Sequence, residues 1–230
     1  MKSDKSNLTV RYADGRDTDA LYKLWKECFH DTDAFMAYYF DYYLRDNRIL
    51  ILAQENQLKS MIHLNPYTLS VCEKKVNSLY VVGVATDADF RHRGAMTRLL
   101  QRTFSDCYAG RIPLIYLMPA NEAIYTPFQF AYIYSQYVEK KTHTPFSSIH
   151  NVDAAIVRDI SAHPVSVEAE RQQLADWSNS LLSRHYDVFT WRDAYYFERL
   201  QMENQADGGD LLLLSANGKQ IGYVSYACEE

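Results

Sequence analysis

Four cysteines in 230 residues, none in a C-x-x-C or zinc-knuckle arrangement, leave the sequence without a thiolate metal framework. Cys28 and Cys107 fall on apolar helical faces and read as small core residues. The 7 histidines contain no H-x-x-x-H pair, and no metal is expected. A G-x-S-x-G elbow is absent, so hydrolysis by a serine nucleophile lacks its signature. No apolar run approaches the length of a membrane span. Met1-Lys2-Ser3-Asp4-Lys5 has no apolar stretch behind it, so neither a signal peptide nor a membrane partner is expected. Basic residues are outnumbered, 24 Lys and Arg against 29 Asp and Glu. The resulting net charge of -5 argues against nucleic acid as the main partner and mildly favours a cationic one. A cytoplasmic protein is the expectation.

What is present is a sizeable stock of core residues. Hydrophobic side chains make up 47% of the chain, which excludes wholesale disorder and suits one large domain or two small ones. The most informative stretch spans residues 79–101. Tyr80-Val81-Val82-Gly83-Val84-Ala85 reads as a buried strand. Residues 86–91 suit neither helix nor strand. Met96, Leu99, Leu100 and Phe104 then recur at helical spacing. Arginines at a helix start meet the partial positive charge of the free N–H groups there. The arrangement makes sense if an anion sits on the turn, held by those N–H groups, by Arg91 and Arg93, and close to the backbone at Gly94. The stretch therefore reads as a phosphate cradle, although it matches neither the P-loop nor the G-x-G-x-x-G turn.

These residues resemble a family. Arg91-His92-Arg93-Gly94-Ala95-Met96 is similar to the R/Q-x-x-G-x-G/A pyrophosphate loop of the GNAT N-acetyltransferases, and Val84-Ala85-Thr86 resembles the splayed strand that holds the pantetheine arm there. Met96 stands where Gly or Ala is usual; a bulky residue there is similar to the Eis-like branch, in which a second GNAT-like unit follows the first. The resemblance covers residues 8–137. It implies an α/β fold with a GNAT-like mixed central β-sheet flanked by helices. It also implies acetyl-CoA as cosubstrate and direct transfer of the acetyl group to a primary amine on a small molecule or peptide. Arg91, His92, Arg93, Gly94, Ala95 and Met96 would hold the pyrophosphate, His92 through its backbone. Val84, Ala85 and Thr86 would act through backbone groups on the pantetheine arm and the thioester carbonyl. Tyr125 would protonate the leaving thiolate, in a segment where Gln129 replaces the Gly of a Gly-Phe pair. Glu122 is a weaker candidate for a base. Two other classes stay open: a CoA-binding sensor without turnover, and a structural or assembly protein that has lost the cofactor.

Taken in order, Leu8, Val10 and Tyr12 alternate as a first strand, and Asp17-Thr18-Asp19 caps a helix. Asp31-Thr32-Asp33 reads as the next cap rather than a metal loop. The helix over residues 34–44 carries aromatics on more than one face, which fits either burial on two sides or an acceptor pocket. Strands come next over residues 49–53 and 58–64, with Tyr67, Leu69 and Val71 extending the sheet or starting another strand. A short strand over residues 113–117, a short helix with Tyr125 and a last strand over residues 128–138 close the unit.

Residues 1–141 are expected to form the cofactor domain and residues 142–165 a linker. Residues 166–230 are expected to form a partial second unit that repeats the start of the first, since Ala194-Tyr195-Tyr196-Phe197 is similar to Ala37-Tyr38-Tyr39-Phe40 and Asn217-Gly218 marks a hairpin. This half-unit has no R-x-x-G-x turn. It is expected to bury Leu181, Leu182, Phe189 and Phe197 by packing on the first domain, or on a second chain as a homo-oligomer, through its hairpin edge.

Overall fold

The computed structural model describes residues 8–135 and 160–228. The first strand, β1 (Leu8–Tyr12), pairs antiparallel with β2 (Arg48–Gln54), β2 with β3 (Gln57–Val71), and β3 with β4 (Lys74–Thr86). The last partner, β5 (Leu114–Tyr116), lies parallel to β4, so the sheet is mixed. Tyr67, Leu69 and Val71 continue β3 without a break. Tight turns join the strands, with left-handed backbone at Glu55 and Asn56 and again at Cys72 and Glu73.

Helices α1 (Thr18–Cys28) and α2 (Asp33–Asp41) cover one face, and α3 (Ala95–Ala109) covers the other. The period of two in β2 sends Ile49 and Ile51 toward α1 and α2, and Leu50 and Leu52 toward α3. Thr32 caps α2 as expected, its hydroxyl accepting from the Phe35 N–H at 3.0 Å. Asp17 stands at the start of α1 but does not cap it. Its carboxylate is instead engaged by Arg11, at 2.7 and 2.8 Å, and by the Asp14 N–H. The stripe of α3 is rotated from the expected one. Ala95, Leu99, Leu100, Thr103 and Cys107 are buried, whereas Phe104 lies at the edge of that face, 37% exposed.

Of the expected strand over residues 128–138, residues 128–135 are not a strand. Thr126–Phe128 is a 3₁₀ turn and Gln129 takes φ 66°, which breaks any extended run; residues 136–138 lie outside the described residues. The left-handed backbone that Gly would adopt freely is therefore retained with Gln129 in place.

The C-terminal part comprises β6 (Ile160–Pro164), α5 (Glu168–Leu182), β7 (Val188–Thr190), α6 (Ala194–Ala206), β8 (Asp210–Ala216) and β9 (Lys219–Tyr226). The segment Ile160–Pro164, inside the expected linker, is thus a strand, paired with β8. The three-stranded sheet β6-β8-β9 has its own core of Val165, Leu174, Ala175, Phe197, Leu211 and Leu213. Phe197 is fully buried, but Leu181 is 41% exposed. The part does pack on the first sheet, though not by the hairpin edge. β7 adds to β3 beyond the end of β2, with Leu69 opposite Thr190, and α6 packs on α2. The Tyr38 hydroxyl donates to the Arg199 carbonyl at 3.0 Å, and the Tyr195 hydroxyl to Asp46 at 2.6 Å.

Candidate active site

Two features of β4 prepare the site. The first is a bulge: Met61 opposes Ala85 and His63 opposes Val82, so Gly83 and Val84 together face Ile62. Gly83 has φ 57°, and a Cβ there would stand 2.3 Å from the Trp25 ring, so no other residue fits without displacing the core. The second is a parting of strands. β4 and β5 pair only from Ser78 opposite Leu114 to Tyr80 opposite Tyr116. Beyond Tyr80 the β4 edge that faced β5 has no strand partner among the described residues, leaving Val84, Ala85 and Thr86 on an open backbone edge.

The end of β4 is fixed from the β3 side. The Ser60 hydroxyl donates to the Ala85 carbonyl at 2.7 Å and meets the Thr86 hydroxyl at 2.8 Å. Lys59 pairs with Asp87 at 2.9 Å and holds its carboxyl below the ordinary range. Asp87 in turn accepts the Asp89 N–H and caps the 3₁₀ turn Ala88–Phe90, whose Phe90 is buried.

The basic turn comes next. His92 at φ 61° and Gly94 at φ 75° are both left-handed, and Gly94 is the N-cap of α3. The first-turn N–H groups of α3 therefore lie beside Arg91, His92 and Arg93, all of them exposed. A Cβ at Gly94 would meet nothing within 4 Å, so the space over the turn is open. No acidic residue occupies the first turn of α3. The Arg91 Nε donates to the Thr86 carbonyl at 3.3 Å, and the Arg93 guanidinium lies 5.3 Å from the Phe90 ring centre. Ala95 is buried and Met96 half-buried against the α3-side core, so a bulky residue is accommodated here as packing. Open, basic and rich in free N–H groups, the turn fits a phosphate or pyrophosphate.

Tyr125 closes the short helix α4 (Glu122–Tyr125), which Asn121 caps through the Ala123 N–H. It is half-buried, with the Phe130 ring edge-on at 5.7 Å. Burial pushes its hydroxyl pKa up, and nearby Tyr80 adds to the shift, so Tyr125 is neutral and able to donate a proton. Tyr80 is the residue after which β4 and β5 part. Val84, Ala85, Thr86 and the turn residues 91–96 thus gather at one end of β4, with Tyr125 on the segment that follows β5.

The aromatic helix α2 is buried on two sides, between the sheet and α6. Met36, Tyr38 and Tyr39 are buried in it. The Tyr39 hydroxyl contacts His63 Nδ1 at 3.1 Å and Asn65 at 3.4 Å, and accepts from Asn47 at 3.3 Å. Burial pushes the His63 pKa down to about 3. Sequence reasoning did not single out this network, nor a row of tyrosines on the same face. Tyr67, Tyr80 and Tyr116 have ring centres 5.1–6.2 Å apart, and Tyr67 shares a 2.7 Å hydroxyl contact with Tyr43. The signals were there: a glycine inside a strand marks a bulge, and same-parity tyrosines on neighbouring strands share a face. Among the described residues no cluster of three His, Cys, Asp or Glu is placed to hold a metal, and no helix is long and apolar enough to cross a membrane.

Comparison with known proteins agrees with this geometry. A family model described as "Acetyltransferase (GNAT) domain" matches residues 9–133, more than half of the 230 residues. The fold is similar to that of a conserved Enterococcus faecalis protein of unknown function described as a probable N-acyltransferase, with TM-score 0.69 and 13% identity over 95% of this chain and 54% of that one. It is also similar to a GCN5-related N-acetyltransferase from Kribbella flavida, with TM-score 0.67 and 12% identity over 97% of this chain and 55% of that one. The chain spans about half the length of both. No curated protein matches it. With more than half of its length matched, the chain belongs to the GNAT acetyltransferase family.

Proposed function

We propose that the protein is an N-acetyltransferase that moves the acetyl group of acetyl-CoA to a primary amine on a small molecule or peptide. The observation that carries this reading is the open basic turn over residues 91–96, next to a strand edge with no strand partner among the described residues. Backbone N–H groups at Gly94, Ala95 and Met96, together with Arg91 and Arg93, would hold the pyrophosphate. The β4 edge at Val84, Ala85 and Thr86 would take the pantetheine arm and hydrogen-bond the acetyl carbonyl, where negative charge develops. The amine attacks directly: an N–C bond forms, the C–S bond breaks, and the nitrogen loses a proton to solvent. Tyr125, kept neutral by its surroundings, gives its proton to the departing thiolate and is reprotonated from solvent.

We further infer that residues 160–228 are the opening of a second GNAT-like unit, as in the Eis-like branch, and carry no cofactor. The support is their order, strand-helix-helix-strand-strand, with a short extra strand between the helices. The test is release of free thiol from acetyl-CoA with a panel of primary amines, alongside calorimetric titration of acetyl-CoA. Amine-dependent thiol release is the expected result. Binding without thiol release would favour a sensor, and no binding would reject the whole reading.

A further inference from the structure

The acetyl-transfer reading leaves two features unused. One is a cavity of about 660 Å³ between the first sheet and α6, which shares no residue with the candidate active site. The other is His63, which lies directly beneath the β4 bulge. It is fully buried in β3, among the rings of Trp25, Tyr39 and Phe40. A Cβ at Gly83 would stand 3.1 Å from the His63 Cδ2 and 2.3 Å from the Trp25 ring. The imidazole edge and the indole together are therefore the floor on which the bulge rests.

A histidine is a costly choice for that floor. Its Nε2 is buried with no hydrogen-bond partner among the described residues, and burial pushes the ring pKa down to about 3, so the ring is neutral. A phenyl ring would fill the space without burying two nitrogens. What the imidazole adds is Nδ1, which meets the Tyr39 hydroxyl at 3.1 Å. That hydroxyl is itself fixed, accepting from Asn47 at 3.3 Å and donating to Asn65 Oδ1 at 3.4 Å. The bond stops the imidazole from turning about its own axis and holds the Cδ2–Nε2 edge against Gly83. The bulged pair Gly83 and Val84 leads straight into the edge read as holding the acetyl carbonyl, where a small error of position weakens a transition-state contact.

We propose that His63 is a positioning residue for acetyl transfer: through its bond to Tyr39 it sets the height of the β4 bulge, and with it the aim of the strand edge at the acetyl carbonyl. The inference rests on the acetyltransferase reading and adds to it a residue that touches neither substrate nor cofactor.

The test is a double-variant cycle on the full chain, with thiol release from acetyl-CoA and a primary amine as the readout and the denaturant midpoint measured on the same samples. His63→Phe keeps a ring under Gly83 but loses the bond; Tyr39→Phe removes the same bond from the other end by deleting one oxygen, which guards against misfolding. Each is expected to lower kcat about ten- to a hundredfold at a temperature well below unfolding, while KM and calorimetric affinity for acetyl-CoA stay within about twofold. The double variant should be no slower than the slower single one, because both break one bond. A purely structural role would lower the midpoint and leave kcat alone. Parental kcat in both single variants, losses that multiply in the double variant, or a loss confined to acetyl-CoA affinity overturns the proposal and leaves the acetyltransferase reading in place. Absence of thiol release in the unaltered protein rejects that reading, and the proposal with it.

Discussion

The first unit opens β1-α1-α2-β2-β3, and the second opens β6-α5-α6-β8-β9, with β7 leaving it between the helices to join the first sheet. The likeness extends to detail. Five residue pairs join β1 to β2, and five join β6 to β8. The β2–β3 hairpin shifts register between Leu52 and Ala53, and the β8–β9 hairpin between Leu214 and Ser215, each just ahead of a left-handed turn, Glu55-Asn56 in one and Asn217-Gly218 in the other. The difference begins after the third strand. The first unit continues into β4, with its Gly83 bulge, and into α3, with its Gly94 turn. Among the described residues no strand follows β9. The equivalent helices also serve different ends: α2 spends its aromatics on the core, while α6 turns Tyr196, Arg199 and Glu203 to a cavity. The same order of elements thus supplies a platform in one part and a cavity wall in the other, and the proposed cofactor site lies on β4 and α3, which have no counterpart in the second part among the described residues.

The feature peculiar to the first unit is where the two should separate most. Gly83→Ala must accept a left-handed backbone and a clash with Trp25. Together these should lower stability by about 2–5 kcal/mol, read from the denaturant midpoint; an unchanged midpoint would show that the bulge is no constraint. Next in size is Tyr125→Phe. Loss of a general acid lowers turnover about a hundredfold, or about 2.7 kcal/mol, while acetyl-CoA affinity holds. Turnover equal to the parent's would return Tyr125 to a packing role.

Acid should distinguish the two units. His63 titrates at about 3 in the folded protein against 6.5 as a free group, so between those values the unfolded state binds the extra proton. Stability from this group is complete above about pH 6.5 and is lost as pH falls, at up to about 1.4 kcal/mol per pH unit. Amide exchange should show the first sheet loosening before β8 and β9, since His63 is buried in the first sheet. His63→Gln should flatten the slope; an unaltered slope would assign it to other groups. A transplant should have the mildest consequence. Installing the second unit's turn in the first, by Glu55→Asn with Asn56→Gly, relieves two left-handed non-glycine positions and should raise stability by about 1 kcal/mol, seen as a higher melting temperature. A loss of stability would mean the two hairpins are not equivalent.

Much of this was legible in the sequence, because the signals were local. The strand-turn-helix over residues 79–101 declares itself by a change of period, and Asn217-Gly218 by its dipeptide. Arg91, Arg93 and Gly94 were conspicuous because charge of the wrong sign stood at a helix start. What escaped depended on distant partners. Asp17 looked like a cap until Arg11 supplied a stronger partner. Residues 128–135 looked like a strand because apolar composition does not reveal a left-handed Gln129. Arg199 gave no local sign at all: α6 brings it over the ring of Tyr43, in the 3₁₀ turn after α2, and near that of Tyr67 on β3.

If the cofactor turn over residues 91–96 is peculiar to the first unit, and the repeated opening has no counterpart, the chain binds acetyl-CoA once. Calorimetric titration of acetyl-CoA into the parent protein and into Arg91→Ala with Arg93→Ala decides the point. One acetyl-CoA per chain is expected, with an affinity at least about tenfold lower in the double variant, since each charge-assisted hydrogen bond contributes about 1.5–3 kcal/mol. Two equivalents per chain, or an affinity unchanged by the double substitution, would refute it.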